Sequence, residues 1–241
     1  MFLFSIFMMT AVPVFIMPLF NKYKPLKEGE LKDRIYALAG RLSYPLTKLY
    51  VMDGSKRSSH SNAFMFGFGS NKRIVLFDTL MEQVRDDEIL AILGHELGHW
   101  KLGHTLANFA VTQFYFGAAF YAFSLCYGTE ELYAAFGFDG GSERIVPVVV
   151  ALTLFFQTVW APVDKALSFL LTAFSRHNEF GADAFSADLG MSGELRSGLC
   201  KIHLENLGAM NPDRLYSAYH YSHPPLVERL GAMMETDKKS E

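Results

Sequence analysis

The sequence predicts a mainly α-helical membrane protein with a small β-sheet outside the bilayer. Of its 241 residues, 50% are hydrophobic and 20% are charged, whereas roughly 25% are charged in average soluble domains. Residues 1–20, 105–127 and 145–163 contain no Lys, Arg, Asp or Glu. Because a transmembrane helix needs about 17–25 residues, these uncharged windows predict three membrane spans.

The composition also excludes several classes of protein. A chain that is 50% hydrophobic is not intrinsically disordered, and 2 cysteines are too few for a disulfide scaffold. A net charge of -3 gives no reason to expect nucleic acid as a partner.

The basic residues predict the topology of these spans. The window at 1–20 is interpreted as a span, because it lacks the basic start and the cleavage site of a signal peptide. Several lysines follow it directly, and short cytoplasmic segments are enriched in basic residues. The loop at 128–144 is mainly acidic and is therefore predicted to be lumenal. Since two spans separate them, segments 21–104 and 164–241 should lie together on the cytosolic side.

The cytosolic segments contain both helix and strand patterns. Residues 28–42 have the periodicity of a short amphipathic helix. Three strand-length pieces predict a small sheet, namely TKLYVMDG, SNAFMFGF and KRIVLFD. A helix is predicted to begin near Asp86 and to run into the second span, and another to cover about 164–189.

Within the helix that begins near Asp86, His95, Glu96 and His99 form an H-E-x-x-H motif. On a helix, residues i and i+4 share one face, so both imidazoles can hold one zinc ion. Glu96 then lies beside a zinc-bound water and can act as its general base. The sequence therefore predicts one catalytic zinc ion (Zn2+) per chain.

A zinc site of this kind needs a third protein ligand. The pattern H-E-x-x-H-x-x-G-x-x-H would place a histidine at 105, but that residue is Thr105, and His104 is one position short. The third ligand is therefore expected to be distant in sequence. The candidates in the second cytosolic segment are Glu179, Glu194, Glu205, Glu228 and Glu235.

We favour Glu179 as the third ligand. Asp183 follows four residues later on the same helical face, where it could accept the other ring N–H of a ligand histidine. Gly181 and its alanine neighbours would let this helix approach the motif closely. Glu205 stays open as an alternative ligand.

At this point the residues resemble a known family. H-E-L-G-H, followed about eighty residues later by E-F-x-A-D, is similar to the integral-membrane zinc metalloproteases of the CaaX prenyl protease type. Four further segments resemble the type 1 (a-factor-converting, prelamin-processing) members and extend the resemblance over nearly the whole chain. They are GSKRSSHSNAF at 54–64, NKRIVLFDTL at 71–80, GHELGHWKLGHT at 94–105 and YHYSHPPLVERL at 219–230.

The resemblance implies the complete fold class and the activity. It implies about three transmembrane helices with a cytosolic, zincin-like catalytic part that contains the small sheet. The expected reaction is zinc-dependent hydrolysis that removes the last three residues of prenylated CaaX proteins or peptides. The expected partners are these substrates and the lipid bilayer, and the expected location is the endoplasmic reticulum membrane. Lys238 and Lys239 resemble the dilysine signal of that compartment.

The resemblance also implies roles for residues outside the zinc motif. Asn62 and Ala63 match an edge strand that pairs with the extended substrate. His223 matches a histidine that stabilises the oxyanion, and His220 is a weaker candidate for that role. We interpret the remaining histidines, His60, His177 and His203, as ordinary polar residues.

Two other interpretations stay open. One is a quality-control protease similar to bacterial HtpX, which shares the zinc ligands and an H-P-P segment. The other is a non-catalytic homologue whose zinc site is structural. Members of the family have about seven spans, and this chain begins in what resembles the fifth. It is therefore expected to be a C-terminal portion of a longer protein or a reduced homologue.

Overall fold

The computed structural model describes residues 2–138 and 146–240, and of Lys239 and Ser240 the backbone alone. Met1, residues 139–145 of the predicted lumenal loop, the Lys239 side chain of the predicted dilysine signal and Glu241 lie outside this description. The described part is mainly helical and contains a small sheet. In it, Phe2–Phe20, His104–Cys126 and Val148–Glu205 are helices long and apolar enough to cross a membrane. The predicted fold class is confirmed.

The first candidate span is a helical rod with a π-helical turn in its middle. It consists of α1 (Phe2–Ala11), a π-helical turn at Val12–Ile16 and α2 (Met17–Phe20). Pro13 lies in the turn and has no backbone N–H to donate, so it interrupts the α-helical hydrogen-bond ladder.

The segment after the first span builds the sheet and one covering helix. Its elements are β1 (Tyr23–Pro25), α3 (Glu30–Arg41), β2 (Leu46–Met52), a 3₁₀ turn at Gly54–Lys56, β3 (Ala63–Phe66) and β4 (Lys72–Phe77). The strand order is β1, β2, β4, β3. β2 and β4 are parallel, while β1 and β3 are antiparallel to their neighbours. In this order β3 lies at an edge of the sheet.

The sequence predicted β2, β3 and β4 but missed β1. A strand of three residues ending at Pro25 has no alternating pattern of its own, and it pairs with β2 only because the chain returns to the edge of the sheet. The centre of the core is β4, where Ile74, Val75 and Leu76 are fully buried.

The zinc motif lies on a helix that packs against this core. After α4 (Asp78–Gln83) come α5 (Asp86–Lys101) and α6 (His104–Cys126), separated by a short turn rather than continuous as predicted. Ile89, Leu93 and Leu97 bury one face of α5 in the core. His95 is two residues before Leu97, about 200° around the helix, so the motif faces away from that core.

The rest of the chain is helical. It consists of α7 (Glu130–Ala134), α8 (Val148–Leu154), α9 (Trp160–Ser186), α10 (Ser192–Glu205), α11 (Arg214–His220) and α12 (Leu226–Ser240), with π-helical turns at Phe155–Val159 and Ala187–Met191. The third predicted span and the helix predicted after it are continuous. Pro162 does not separate them, because it lies in the first turn of α9 after a π-helical turn, where its missing N–H costs little.

Glycines on α5 allow α9 to approach the motif closely. A Cβ at Gly98 would lie 3.0 Å from the Phe185 ring, and a Cβ at Gly94 would lie 2.6 Å from the Met191 methyl group. The Ser186 hydroxyl donates across the same interface to the Ala91 carbonyl at 2.9 Å. The sequence predicted that Gly181 of α9 would allow the two helices to approach each other closely. The tighter contacts are at Gly94 and Gly98 of α5, since a Cβ at Gly181 would lie 3.4 Å from its nearest neighbour.

A buried carboxylate fixes the start of α5 to α10. Glu88 is 0% exposed and accepts hydrogen bonds from the Arg85 backbone N–H, the Ser197 hydroxyl and the Lys201 ammonium, each at 2.7 Å. Burial raises the pKa of Glu88, but these hydrogen bonds and the Lys201 charge outweigh it and lower the pKa from 4.5 to about 2.

We expect Glu88→Gln to lower the free energy of unfolding by about 2 kcal/mol at pH 7, because it removes charge-assisted hydrogen bonds. Since the folded-state pKa is depressed, this stabilisation is complete above pH 4.5 and is lost as the pH falls towards about 2. Thermal unfolding of metal-free protein in detergent should therefore show a difference in melting temperature between wild type and variant, and this gap should narrow below pH 4.5. The exposed Glu82→Gln is the control, and a gap independent of pH would contradict this account.

Candidate metal centre

Three side chains from α5 and α9 converge on one point. The Nε2 atoms of His95 and His99 are 3.2 Å apart, and they lie 3.5 and 3.3 Å from the two carboxylate oxygens of Glu179. Ligands bound to zinc at about 2.0–2.1 Å in tetrahedral geometry are separated by about 3.3 Å. The predicted trio therefore has the donor atoms and the spacing that a zinc ion requires.

The other ring nitrogen of His95 is held by Asp183. Its Nδ1 lies 2.8 Å from Asp183 Oδ1, as the i+4 spacing from Glu179 predicted. Arg229 of α12 donates to both oxygens of that carboxylate, from Nε at 2.8 Å and from its terminal nitrogen at 2.6 Å. Such a bidentate contact fixes the plane of the carboxylate and, through it, the ring of His95.

The ring of His99 is held by a different residue. Its Nδ1 is 3.0 Å from Nδ1 of His104, so one of these nitrogens donates the hydrogen and the other accepts it. His104 therefore contacts the ring of His99 from outside the converging trio, and this contact fixes which nitrogen of His99 faces Glu179.

Glu96 lies beside the trio on the wall of a cleft of about 500 Å³. Burial raises the pKa of its carboxyl, and the positive potential of His95 and His99 opposes this in part. A carboxylate with a raised pKa is a stronger base than a free one, which suits it to accept a proton from water.

The structure distinguishes the two late histidines. His223 Nδ1 is 3.0 Å from Glu179 Oε1, its side chain is 68% exposed, and it lies at the rim of the cleft. The hydrogen bond to Glu179 raises the pKa of His223. His220 is exposed and packs on the Tyr216 and Tyr219 rings instead.

The predicted substrate strand borders the same cleft. Asn62 and Ala63 line it, at the start of β3. Among the described residues, β3 pairs with β4 alone, so its other edge is free to pair with an extended peptide. The Asn62 side chain accepts from the Ala63 N–H at 2.8 Å and so fixes the entry to the strand.

The other candidate ligands lie elsewhere. Glu228 forms an ion pair with Arg176 at 2.5 Å, and Glu205 and Glu235 are exposed. His203, interpreted from the sequence as an ordinary polar residue, instead lines the cleft.

Sequence reasoning missed Arg229. The residue type alone does not show whether an arginine is buried or exposed. The position of Arg229 along its helix was the one indication in the sequence. Arg229 lies three residues after Leu226 and four before Met233, which places a charge on the apolar face of α12.

We expect Arg229→Gln to weaken zinc binding by about tenfold to a hundredfold, because Asp183 loses the contact that orients it towards His95. Competition with a chromophoric chelator measures this affinity. Arg229→Lys keeps the charge but not the bidentate geometry. Its zinc affinity should lie between that of the wild type and that of Arg229→Gln. The exposed Arg41→Gln is the control, and an unchanged zinc affinity in Arg229→Gln would show that the contact is not needed.

Residues 25–237 match the family model described as Peptidase family M48. The CAAX prenyl protease 1 homolog of Oryza sativa subsp. japonica is 51% identical over 242 residues, which cover 100% of this chain and 56% of that protein. The Homo sapiens homolog is 42% identical over 266 residues, which cover 95% of this chain and 55% of that protein. The chain thus spans about half the length of the curated relatives it matches.

A solved structure agrees with these matches. The crystal structure of S. mikatae Ste24p aligns with a TM-score of 0.87 and 42% sequence identity, over 96% of this chain and 56% of the other.

Proposed function

The chain belongs to peptidase family M48, and from this premise we propose that it is a zinc-dependent endopeptidase that removes the C-terminal tripeptide from prenylated CaaX proteins. The observation that carries the proposal is the triangle of His95, His99 and Glu179 with Glu96 on the wall of the same cleft. A structural zinc site does not require a carboxylate base beside it. The position of Glu96 therefore supports a catalytic rather than a structural site.

Two imidazoles and one carboxylate are a donor set common to catalytic zinc sites. Zinc held there would act as a Lewis acid on the scissile carbonyl and lower the pKa of a water molecule. Asp183 and His104 keep the two imidazoles turned so that their Nε2 atoms face Glu179.

The protein's own groups would then move the protons. Glu96 takes a proton from the attacking water and delivers it to the leaving amine, a role that its raised pKa supports. His223, at the rim of the cleft, donates a hydrogen bond to the oxygen that gains negative charge.

The substrate would pair with the free edge of β3. Glu96 and His99 line the cleft and also a second cavity of about 350 Å³. β3 connects the two, since Ala63 borders the cleft and Phe66 borders the second cavity. A peptide paired along β3 therefore passes the zinc site with one end in each cavity.

The helix of the zinc motif shows which cavity faces the spans. Ile92, before the motif, lines the cleft, whereas Trp100, after it, lines the second cavity. Since α5 leads into α6, the second cavity lies on the side of the candidate spans. A third cavity of about 510 Å³ also borders the first turns of α6. The residues that it shares with the second cavity are Met9, Phe68, Lys72, Trp100 and Thr105.

This arrangement supports a direction for the substrate. The prenyl chain is attached to the cysteine just before the scissile bond, and the third cavity is lined mainly by apolar side chains of α1 and α6. The prenyl chain would enter that cavity near the bilayer, and the last three residues would enter the cleft. The substrate would then run antiparallel to β3.

Location and orientation belong to the same proposal. The lysines after the first span support a cytosolic catalytic part, which is where a prenylated CaaX sequence would be available.

The test is mass spectrometry of the products from a farnesylated CaaX peptide and from the same peptide with an S-methyl cysteine. The proposal predicts release of one intact tripeptide, with at least about tenfold higher efficiency for the farnesylated peptide, because apolar chain is buried. Equal cleavage of both peptides at several bonds would instead support a quality-control protease.

A further inference from the structure

The third cavity, of about 510 Å³, contains one cation. Its walls come from α1, the start of α6, Trp100 of α5 and the hairpin that joins β3 to β4. Among the described residues that line it, Lys72 alone has an ionisable side chain, and most of the others are apolar. Lys72 is the first residue of β4 and also lines the second cavity. The third cavity therefore has an apolar body and a positive charge where it meets the second cavity.

The Lys72 ammonium lacks an acidic partner within the part of the chain that the structure describes. Its Nζ donates to the Gly67 carbonyl at 2.8 Å. An ammonium has three hydrogens to donate, so two remain for a ligand. Burial lowers the pKa of Lys72, and no nearby carboxylate opposes that shift. An anion beside Lys72 would offset the cost of burying its charge.

The hairpin holds Lys72 at this position. Gly67 has a φ of +111°, and a Cβ there would lie 2.0 Å from the Asn71 carbonyl oxygen, so the turn requires glycine. The Asn71 N–H donates to the Phe68 carbonyl at 3.0 Å and closes the turn. Because Gly67 also accepts from Lys72, the turn positions the ammonium at the edge of the cavity.

The surroundings of Lys72 favour a lipid over a water-soluble anion. Phe2, Phe68 and Leu106 line the cavity and are at least half exposed, and α1 and α6 belong to candidate membrane spans. A ligand that enters there needs an apolar chain. The volume is within the range of roughly 300–1,000 Å³ that is typical of sites for one small ligand, so we expect a single chain. A neutral prenyl chain would give the Lys72 ammonium no partner.

We propose that the third cavity binds a single-chain lipid with an anionic headgroup, with its chain between α1 and α6 and its headgroup on Lys72. Fatty acids and lysophosphatidates share this chemistry. The inference rests on the proposed function in one respect. The lipid would occupy the place assigned there to the prenyl chain and would therefore inhibit cleavage competitively.

Tryptophan fluorescence measures the binding without any need for cleavage. The chain has 2 tryptophans, of which Trp100 lines the cavity, whereas Trp160 packs on Phe155 outside it. A Trp160→Phe background leaves Trp100 as the reporter. The probe is dibromostearic acid, whose bromine atoms quench tryptophan on contact, and the comparison is the dibromo alcohol with the same chain. At about pH 8, where a carboxyl group is ionised, the acid should reach half-maximal quenching at an about tenfold lower concentration.

Variants of Lys72 show whether the preference for the acid depends on its charge. Lys72→Gln should abolish the difference between acid and alcohol, and Lys72→Arg should keep most of it. Lys48→Gln, on an exposed residue of β2, is the matched control and should behave as the background protein does. Displacement of the probe by unlabelled oleate and by oleoyl lysophosphatidate ranks the two headgroups. Equal quenching by acid and alcohol, or a preference that survives in Lys72→Gln, would overturn the lipid site.

Cleavage of a farnesylated CaaX peptide by the unsubstituted protein tests the competition. Oleate should raise KM and leave kcat unchanged, at an about tenfold lower concentration than oleyl alcohol requires. If no peptide is cleaved but the acid binds through Lys72, the lipid site stands and the proposed activity fails. If the peptide is cleaved and Lys72 has no effect on lipid binding, the lipid site is overturned and the activity stands. Binding through Lys72 with an unchanged KM would overturn the competition.

Discussion

Glu96→Gln is expected to lower kcat for a farnesylated CaaX peptide by about a thousandfold or more while leaving the zinc content unchanged. The amide has nearly the shape of the carboxylate but cannot take a proton from water. Glu96 is not among the three residues that converge on the metal position, so zinc should remain bound. Steady-state kinetics in detergent and metal analysis of the same sample measure both quantities.

Glu82→Gln is the matched control for this variant. It makes the same change on an exposed residue of α4, outside the cleft, and should have wild-type kinetics. Loss of zinc from the Glu96→Gln protein would contradict the assignment of Glu96 as a base rather than a ligand. A kcat within about tenfold of wild type would place the proton transfer on another group.

Glu179→Ala is expected to remove the metal. Zinc would keep two of its three protein ligands, and we expect its affinity to fall by at least about a hundredfold, more than loss of an outer contact causes. The variant should therefore purify with little zinc and cleave no peptide. Metal analysis after dialysis against a weak chelator is the measurement.

Glu205→Ala tests the alternative ligand that the sequence left open. Glu205 is exposed at the end of α10, so its variant should keep zinc and full activity. A result in which Glu205→Ala loses zinc and Glu179→Ala keeps it would show that α9 does not supply the third ligand.

The parts of the site that could be predicted depend on local geometry. His95 and His99 share a face whenever their segment is helical, whatever the rest of the chain does. Asp183 follows Glu179 by the same spacing, which is why its contact with His95 was predictable before the two helices were seen together.

The parts that could not be predicted depend on where distant elements dock. Arg229 meets Asp183 only because α12 packs on α9, and Glu88 is buried only because α10 covers the start of α5. The cleft position of His203 likewise depends on how α10 lies across α5. Without a docking partner, Glu88 and His203 have the pattern of ordinary exposed side chains, and the position of Arg229 on the apolar face of α12 does not show which residue it meets.

Helix boundaries at prolines were a separate difficulty. The third span and the next helix were predicted as separate elements, because the uncharged window ends at residue 163, just after Pro162. A proline stops a helix when its ring clashes with the preceding α-helical turn, but here the preceding turn, Phe155–Val159, is π-helical and the helix continues through Pro162. The result is one helical rod that carries Glu179 from the candidate span to the zinc motif.

The most direct test of the account is a zinc titration of the metal-free 241-residue protein during cleavage of a farnesylated CaaX peptide. We expect release of the C-terminal tripeptide to rise linearly with added zinc and to reach its plateau at one zinc ion per chain. Tripeptide release without zinc, or one zinc ion bound per chain with no release, would contradict the proposal that His95, His99 and Glu179 form a catalytic centre.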